Sequence, residues 1–228
     1  MSFHFREGLR LPEPSRAQRD IAGASTGHCT ANAVLGDGDG LRMQAESWLE
    51  FCSFLLLDAM RIVAGLQEQV FFHYGWDPKK LHHKIIDVIA TTTDGQRIAY
   101  TIKPEVRLVS GEFLKEMQEV AWWMKELDFA DDFRLLTERD IDQADLSNAR
   151  MFAAVRGSEP EADAVALQVA NSLHGGRSLR ELTLATGLED RGYRALIRLM
   201  RQGYLRPMQH ELITPATLIK RGELHHAA

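Results

Sequence analysis

The run Ile85-Ile86-Asp87-Val88-Ile89 constrains this chain more than any other segment, because it is an apolar strand pattern with one carboxylate in it. An isolated carboxylate in such a strand is costly unless a partner compensates it. The strand, from His83 to Thr92, is followed by Asp94-Gly95, a strong hairpin signal, and then by a third strand, Arg97 to Lys103. Hairpin register decides what Asp87 meets. A two-residue Asp94-Gly95 loop pairs Thr93 with Gln96 and Asp87 with Ile102, which puts Asp87 on the face opposite Thr101 and Lys103. A three-residue loop, Thr93-Asp94-Gly95 with Gly95 left-handed, pairs Asp87 with Thr101 and brings Asp87, Thr101 and Lys103 to one face. A shared site requires the three-residue loop.

The flanking patterns predict an α/β fold. Arg42 to about Met60 reads as helix, with Leu49, Cys52, Leu55 and Leu56 at helical spacing, and Val70 to Tyr74 as an aromatic-rich strand. Glu112 to about Asp128 returns to helix, with Phe113, Met117, Val120, Ala121, Met124 and Leu127 along one side. Phe133 to Thr137 is a fourth strand, and the helix before it permits a parallel crossover. Residues 1–40, rich in Gly, Ser, Pro and Asp, read as a flexible N-terminal arm. The alternating Asp and Gly of 36–40 lack the closing acid of a calcium loop. Gly157-Ser-Glu-Pro160 marks a boundary, so a core of 41–156 precedes a tail of 157–228. The tail shows a helix over Glu161 to His174, a capping box at Ser178-Leu-Arg-Glu181, and a third helix from Asp190 to Gln202. With short strands at Tyr204-Leu205 and Leu212-Ile213, this is a winged helix-turn-helix pattern.

Glu46 and Glu50 lie four apart on the first helix and share a face. Carboxylates at Glu50 and Asp87 can hold a hard divalent cation such as Mg²⁺, or Mn²⁺, which takes oxygen ligands. Such a metal polarises a phosphate and generates hydroxide, and Lys103 beside it stabilises the transition state. A glutamate at helical spacing is more often merely solvated, and a lysine at a strand end is more often surface. Asp87 is what favours the catalytic reading.

Glu46-Ser-Trp-Leu-Glu50, Leu66-Gln-Glu-Gln-Val-Phe-Phe-His-Tyr74, Ile86-Asp-Val-Ile89, Asp94-Gly95 and Thr101-Ile-Lys-Pro104 occur in that order. Together with Phe133-Arg-Leu-Leu-Thr-Glu-Arg-Asp-Ile141, they resemble the endonuclease domain of TnsA, the 5′-strand-cleaving subunit of heteromeric, Tn7-type transposases, over roughly 46–150. The resemblance implies a restriction-endonuclease-like core of the PD-(D/E)xK superfamily, a mixed sheet flanked by helices, followed by the winged-helix domain. It implies Glu50, Asp87 and Lys103 as catalytic residues, with Glu46 as runner-up to Glu50, and Mg²⁺ or Mn²⁺ as cofactor. It implies DNA, a DDE-type transposase and a regulatory ATPase as partners. Ile86 stands where Pro often precedes the metal-binding Asp. Thr101 stands where most of the superfamily has Glu or Asp and TnsA-like members can have Gln, so it marks either a working nuclease or a remnant.

In the tail, Arg191, Arg194, Arg198 and Arg201 recur every three or four residues, with Leu196, Ile197 and Met200 available to turn inward. As a recognition helix they would meet phosphates or guanine edges. The alternative is a solvated or protein-binding face. His82-His83 is a further candidate DNA contact. The net charge of −5 excludes a uniformly basic surface but not a local basic stripe. No apolar run approaches the roughly 18–20 residues needed to span a bilayer, and none follows Arg6, Arg10 and Arg16, so the expected location is cytoplasmic. Two cysteines, Cys29 and Cys52, are too few for a disulfide framework. Three functions are therefore expected: a transposon-end endonuclease, a catalytically impaired DNA-binding or architectural subunit of the same fold, or a standalone restriction or repair nuclease. A homodimer remains open.

Overall fold

The computed structural model describes residues 11–21 and 30–222. Residues 1–10 and 22–29 of the expected arm, with Cys29, and residues 223–228 of the tail lie outside the described residues. The centre of the fold is a four-stranded mixed sheet of order β3-β4-β5-β6. β3 (Val63–Tyr74) and β4 (His82–Thr92) form a long antiparallel pair, and β4 runs antiparallel to β5 (Arg97–Ile102). β6 (Asp132–Leu136) is parallel to β5, reached through the crossover helix α2 (Glu112–Glu126).

Gly95 takes φ +87°, and the turn closes with Gly95 N–H donating to Thr92 O at 2.9 Å and Thr92 N–H to Gln96 O at 2.8 Å. This is the three-residue loop. Thr91 pairs with Arg97 and Val88 with Tyr100, which puts Asp87 across from Thr101.

Helices cover both faces. Cys52, Phe54, Leu55 and Leu57 of α1 (Trp48–Ala59) pack with Leu66, Val88, Ala90, Tyr100 and Ile102. Met117, Val120, Trp123 and Met124 of α2 pack with Val70, Phe72, Ile86, Ile89 and Ala99. Each fully buried large side chain contributes about 1.5–3 kcal/mol. On a regular strand residues two apart share a face, yet Ile86 packs with the α2 cluster while Val88 and Ala90 pack with the α1 cluster. The alternation of β4 therefore breaks at Asp87. Opposite that break, between the pairs Glu68–Val88 and Val70–Ile86, stands Gln69 with φ +53°.

Several boundaries differ from expectation. Residues 31–45 are not an arm running into a helix but a hairpin, β1 (Ala31–Leu35) and β2 (Leu41–Ala45), whose Leu35, Met43 and Ala45 join the α1 cluster. The helix begins only after Ser47, whose hydroxyl caps it. β3 starts seven residues earlier than its aromatic run suggests, because its first half packs under α1.

α3 (Gln143–Ala154), capped by Asp142, has no counterpart in the sequence pattern. Its Leu146 and Ala149 belong to the α1 cluster, and its Met151 and Phe152 pack on the tail cluster. Apolar contact thus continues across the boundary expected at 156/157.

The tail has α4 (Pro160–Asn171), α5 (Leu179–Thr186) and α6 (Glu189–Arg201) around Ala166, Leu182, Leu196 and Ile197. Its three-stranded sheet has the order β7-β9-β8, from Arg177–Ser178, Leu218–Arg221 and Leu205–Pro207. The return strand is β9 and not Leu212-Ile213, because the Ile213 N–H is taken by Asn148 Oδ1 at 2.9 Å. No helix among the described residues is long and apolar enough to cross a membrane.

Since nothing lies within 4 Å of a Cβ added at Gly95, Gly95→Ala tests the turn's left-handed backbone alone. Urea unfolding should show a loss of about 1 kcal/mol with an unchanged m-value; no loss would mean that the turn is not held at positive φ.

Candidate active site

Local sequence places the first carboxylate. The Ser47 hydroxyl accepts from Glu50 N–H at 3.1 Å and caps α1, while Glu50 Oε1 accepts from Ser47 Oγ at 3.2 Å and Oε2 from Glu46 N–H at 2.9 Å. Ser178 and Glu181 repeat the motif at the start of α5, where Glu181 Oε2 accepts from Ser178 N–H at 2.8 Å. The two glutamates diverge in charge. Hydrogen bonds from Ser178 hold the exposed Glu181 below the usual carboxylate range. Glu50 is only 5% exposed, and burial, reinforced by the negative charge of Asp87, pushes it up to about 7. The Glu46 N–H and Lys103 oppose that rise. Helix capping explains the position of Glu50 but not its burial beside a second acid.

Asp87 is equally buried and fully partnered. Its Oδ2 accepts from Ile102 N–H at 2.7 Å, from the Thr101 hydroxyl at 3.1 Å and from Lys103 Nζ at 3.1 Å. Its Oδ1 faces Lys103 Nζ at 3.3 Å. The break in β4 frees this carboxylate to reach the β5 backbone rather than stand in a regular ladder. Lys103 is anchored by its own N–H to Leu136 O at 3.0 Å, and its side chain remains 31% exposed. Thr101 is buried and spends its proton on Asp87, so it orients that carboxylate.

Glu50, Asp87, Thr101 and Lys103 are therefore brought together. Two buried carboxylates that raise one another's cost suit a hard divalent cation, which would offset both charges and keep waters in its remaining positions. The donor set fits Mg²⁺ or Mn²⁺. Glu46 is not part of it, because its carboxylate is ion-paired with Arg19 Nη2 at 2.5 Å. His82 and His83 are exposed near the β4 start and interact with Tyr74 and His73 rings. Among the described residues one three-residue group, Asp142, Asp145 and His210, has metal-ligand spacing. Capping of α3 by Asp142 and the His210–Asp145 contact at 2.8 Å account for it.

The tail arginines do not form one exposed face. Arg198 is buried and paired with Asp163 at 2.6 Å. Arg201 is 11% exposed and pairs with the buried Asp58 of α1 at 3.0 Å. Both are structural: Arg198 is held by Asp163 of α4, and Arg201 by Asp58 of α1 with Asp37 nearby. Arg191 and Arg194 remain exposed, paired with Glu159 and Glu161 and with Asp190. Sequence reading missed Arg19, which pairs with Glu46, and Gln69, which stands across from Asp87. Arg19 sits in a segment without periodicity, and the only signal at Gln69 was three consecutive polar residues in a strand.

The class defined by this fold is a mixed α/β protein in which a buried carboxylate of the sheet, Asp87, and one of the helix packed on it, Glu50, lie with a lysine just beyond the end of β5. No protein-family model matches the chain, and no curated protein matches it.

Glu50 makes stability depend on pH in the metal-free protein. Its folded value of about 7 exceeds its ordinary 4.5. Its contribution is fully present below the unfolded value and is lost as pH rises through the folded one, up to about 3 kcal/mol. Metal-free Glu50→Gln should therefore be more stable than wild type at pH 8, equal to it near pH 4, and insensitive to added Mn²⁺, which should raise the wild-type Tm. Parallel pH curves for the two proteins would refute the raised value.

Proposed function

We propose that this protein is a metal-dependent DNA endonuclease with a restriction-endonuclease-like core, of the kind that TnsA supplies at transposon ends. One observation carries the proposal: Asp87 is bonded to Thr101 and Lys103 across the three-residue-loop register, with Glu50 coupled to it. A surface salt bridge needs no such burial. A divalent cation held by Glu50 and Asp87 would supply Lewis-acid polarisation of the scissile phosphate and an activated water. Lys103 acts from the exposed side of Asp87, where its ammonium stabilises charge that develops on the phosphate. Thr101 and Ile102 N–H hold Asp87 in one orientation. Strand choice, a DDE-type transposase and a regulatory ATPase as partners, and a tail that acts as a winged helix belong to the same proposal. In that tail the exposed Arg191 and Arg194 are the DNA contacts.

A second reading, an inert DNA-binding subunit of the same fold, is favoured by Thr101, because a third acidic ligand is absent from its position. A standalone restriction or repair nuclease would use the same site without partners.

With Mg²⁺ or Mn²⁺, the protein should nick duplex DNA carrying transposon ends, alone or with its partners. Asp87→Ala should abolish nicking and Lys103→Met should lower kcat at least about 100-fold. Undiminished nicking by Asp87→Ala would sink the proposal. Metal-independent DNA binding without cleavage, by both wild type and Thr101→Glu, would establish the inert subunit instead.

A further inference from the structure

We infer that Arg19, carried in by the N-terminal segment, is a substrate-phosphate ligand of this site. The inference rests on the nuclease reading above for the nature of the substrate. The segment is fastened along the sheet edge at several points. Glu13 exchanges backbone hydrogen bonds with Gly40 and Arg42 at 2.8 and 2.9 Å. Ser15 Oγ donates to Glu68 Oε1 at 2.6 Å, and Gln67 Nε2 donates to Arg16 O at 3.0 Å. Gln18 N–H donates to Gln69 O at 3.2 Å, and Phe71 N–H to Gln18 Oε1 at 2.7 Å. These anchors deliver Arg19 to the α1 N-terminus, where its Nη2 meets Glu46 Oε2 at 2.5 Å and its Nε meets Gln69 Oε1 at 2.9 Å.

Both acceptors hold one edge of the guanidinium. Nη1 has no partner among the described residues, and the side chain is 30% exposed. The free edge is a rigid fork of the geometry that takes a phosphate bidentately. Lys103, also about one-third exposed, is paired with Asp87, and Arg19 is paired with Glu46, whose N–H donates to Glu50, so each cation sits on one side of the acidic group. A phosphodiester needs that charge pattern, because its oxygens would otherwise be repelled by Glu46, Glu50 and Asp87.

Gln69 is the independent sign that this placement is functional. It lies opposite Asp87, fully buried, with a left-handed backbone that non-glycine residues rarely adopt. Because a guanidinium only donates, Arg19 fixes which end of the amide is oxygen. The Gln69 Nε2 is thereby left buried without a partner. Backbone strain and an unsatisfied donor persist at sites that need a fixed geometry. Here they hold an arginine.

The test compares full-length wild type, Arg19→Ala and Arg19→Lys, with circular dichroism to verify folding. Affinity for a duplex oligonucleotide is measured by anisotropy across a KCl series in Ca²⁺, and nicking is measured in Mn²⁺. Arg19→Ala should reduce the salt slope of binding by about 1, the signature of one lost phosphate contact. It should also lower kcat/KM roughly 10- to 100-fold. Arg19→Lys should restore the slope but only part of the rate, since it lacks the fork. If Arg19→Ala nicks faster, the segment is a latch and the inference is wrong; an unchanged slope also overturns it. The slope is read without catalysis. A protein that never nicks but shows the Arg19-dependent slope would lose the nuclease reading and keep this one.

Discussion

The Asp87 carboxylate is the interaction on which the rest of the site depends. A buried carboxylate costs several kcal/mol unless hydrogen bonds and a counter-charge compensate it, and here one side chain receives a backbone N–H, a hydroxyl and an ammonium. All three donors come from consecutive residues, Thr101 and Ile102 at the end of β5 and Lys103 just beyond it. That is available only if β4 and β5 are in the register set by the Thr93–Gly95 loop, and only if β4 leaves its regular alternation at residue 87. A register slip of one residue would exchange Thr101 and Lys103 for the apolar Ile102 side chain. The hairpin and the site are in this sense one structure.

Glu50 shows how the same local motif acquires different chemistry from its surroundings. Ser47-x-x-Glu50 and Ser178-x-x-Glu181 both cap helices with reciprocal hydrogen bonds. Glu181 faces solvent and is stabilised as an anion, whereas Glu50 faces the sheet and Asp87. Capping energy, typically about 1 kcal/mol, helps hold Glu50 in an environment that burial alone would make unfavourable. The metal-binding proposal adds the missing positive charge to that balance.

How much of this was legible follows from the range of the interactions involved. The β4–β5 hairpin, α2, the parallel β6 and the Ser178 capping box follow from local periodicity and turn chemistry, so the sequence reading located them closely. Glu50, Asp87, Thr101 and Lys103 were selected from a strand pattern and an ordered set of short motifs, and they converge in space. β1–β2 was hidden because Gly and Asp at 36–40 suggest an arm, although the same residues make a hairpin turn when Leu35 and Met43 have a core to join. α3 was hidden because Gln143–Ala154 has no clean apolar stripe, since it divides its apolar residues between two clusters. Arg19 was invisible because fifty residues separate it from Gln69.

The tail arginines show the limit of periodicity most directly. Spacing of three and four makes a stripe on a helix, but it does not say whether the stripe faces water or protein. On α6, Arg198 and Arg201 point into packed surroundings, and each is paid for by an acid from another element, Asp163 of α4 or Asp58 of α1. Burial raises the Asp58 carboxyl despite the Arg201 charge and the Gly36 N–H that favour its ionised form. Removing Arg201 would leave that acid enclosed without its cation, a loss far larger than one phosphate contact could supply. Two of the four guanidinium groups therefore join the tail together and tie it to α1, the helix that carries Glu50.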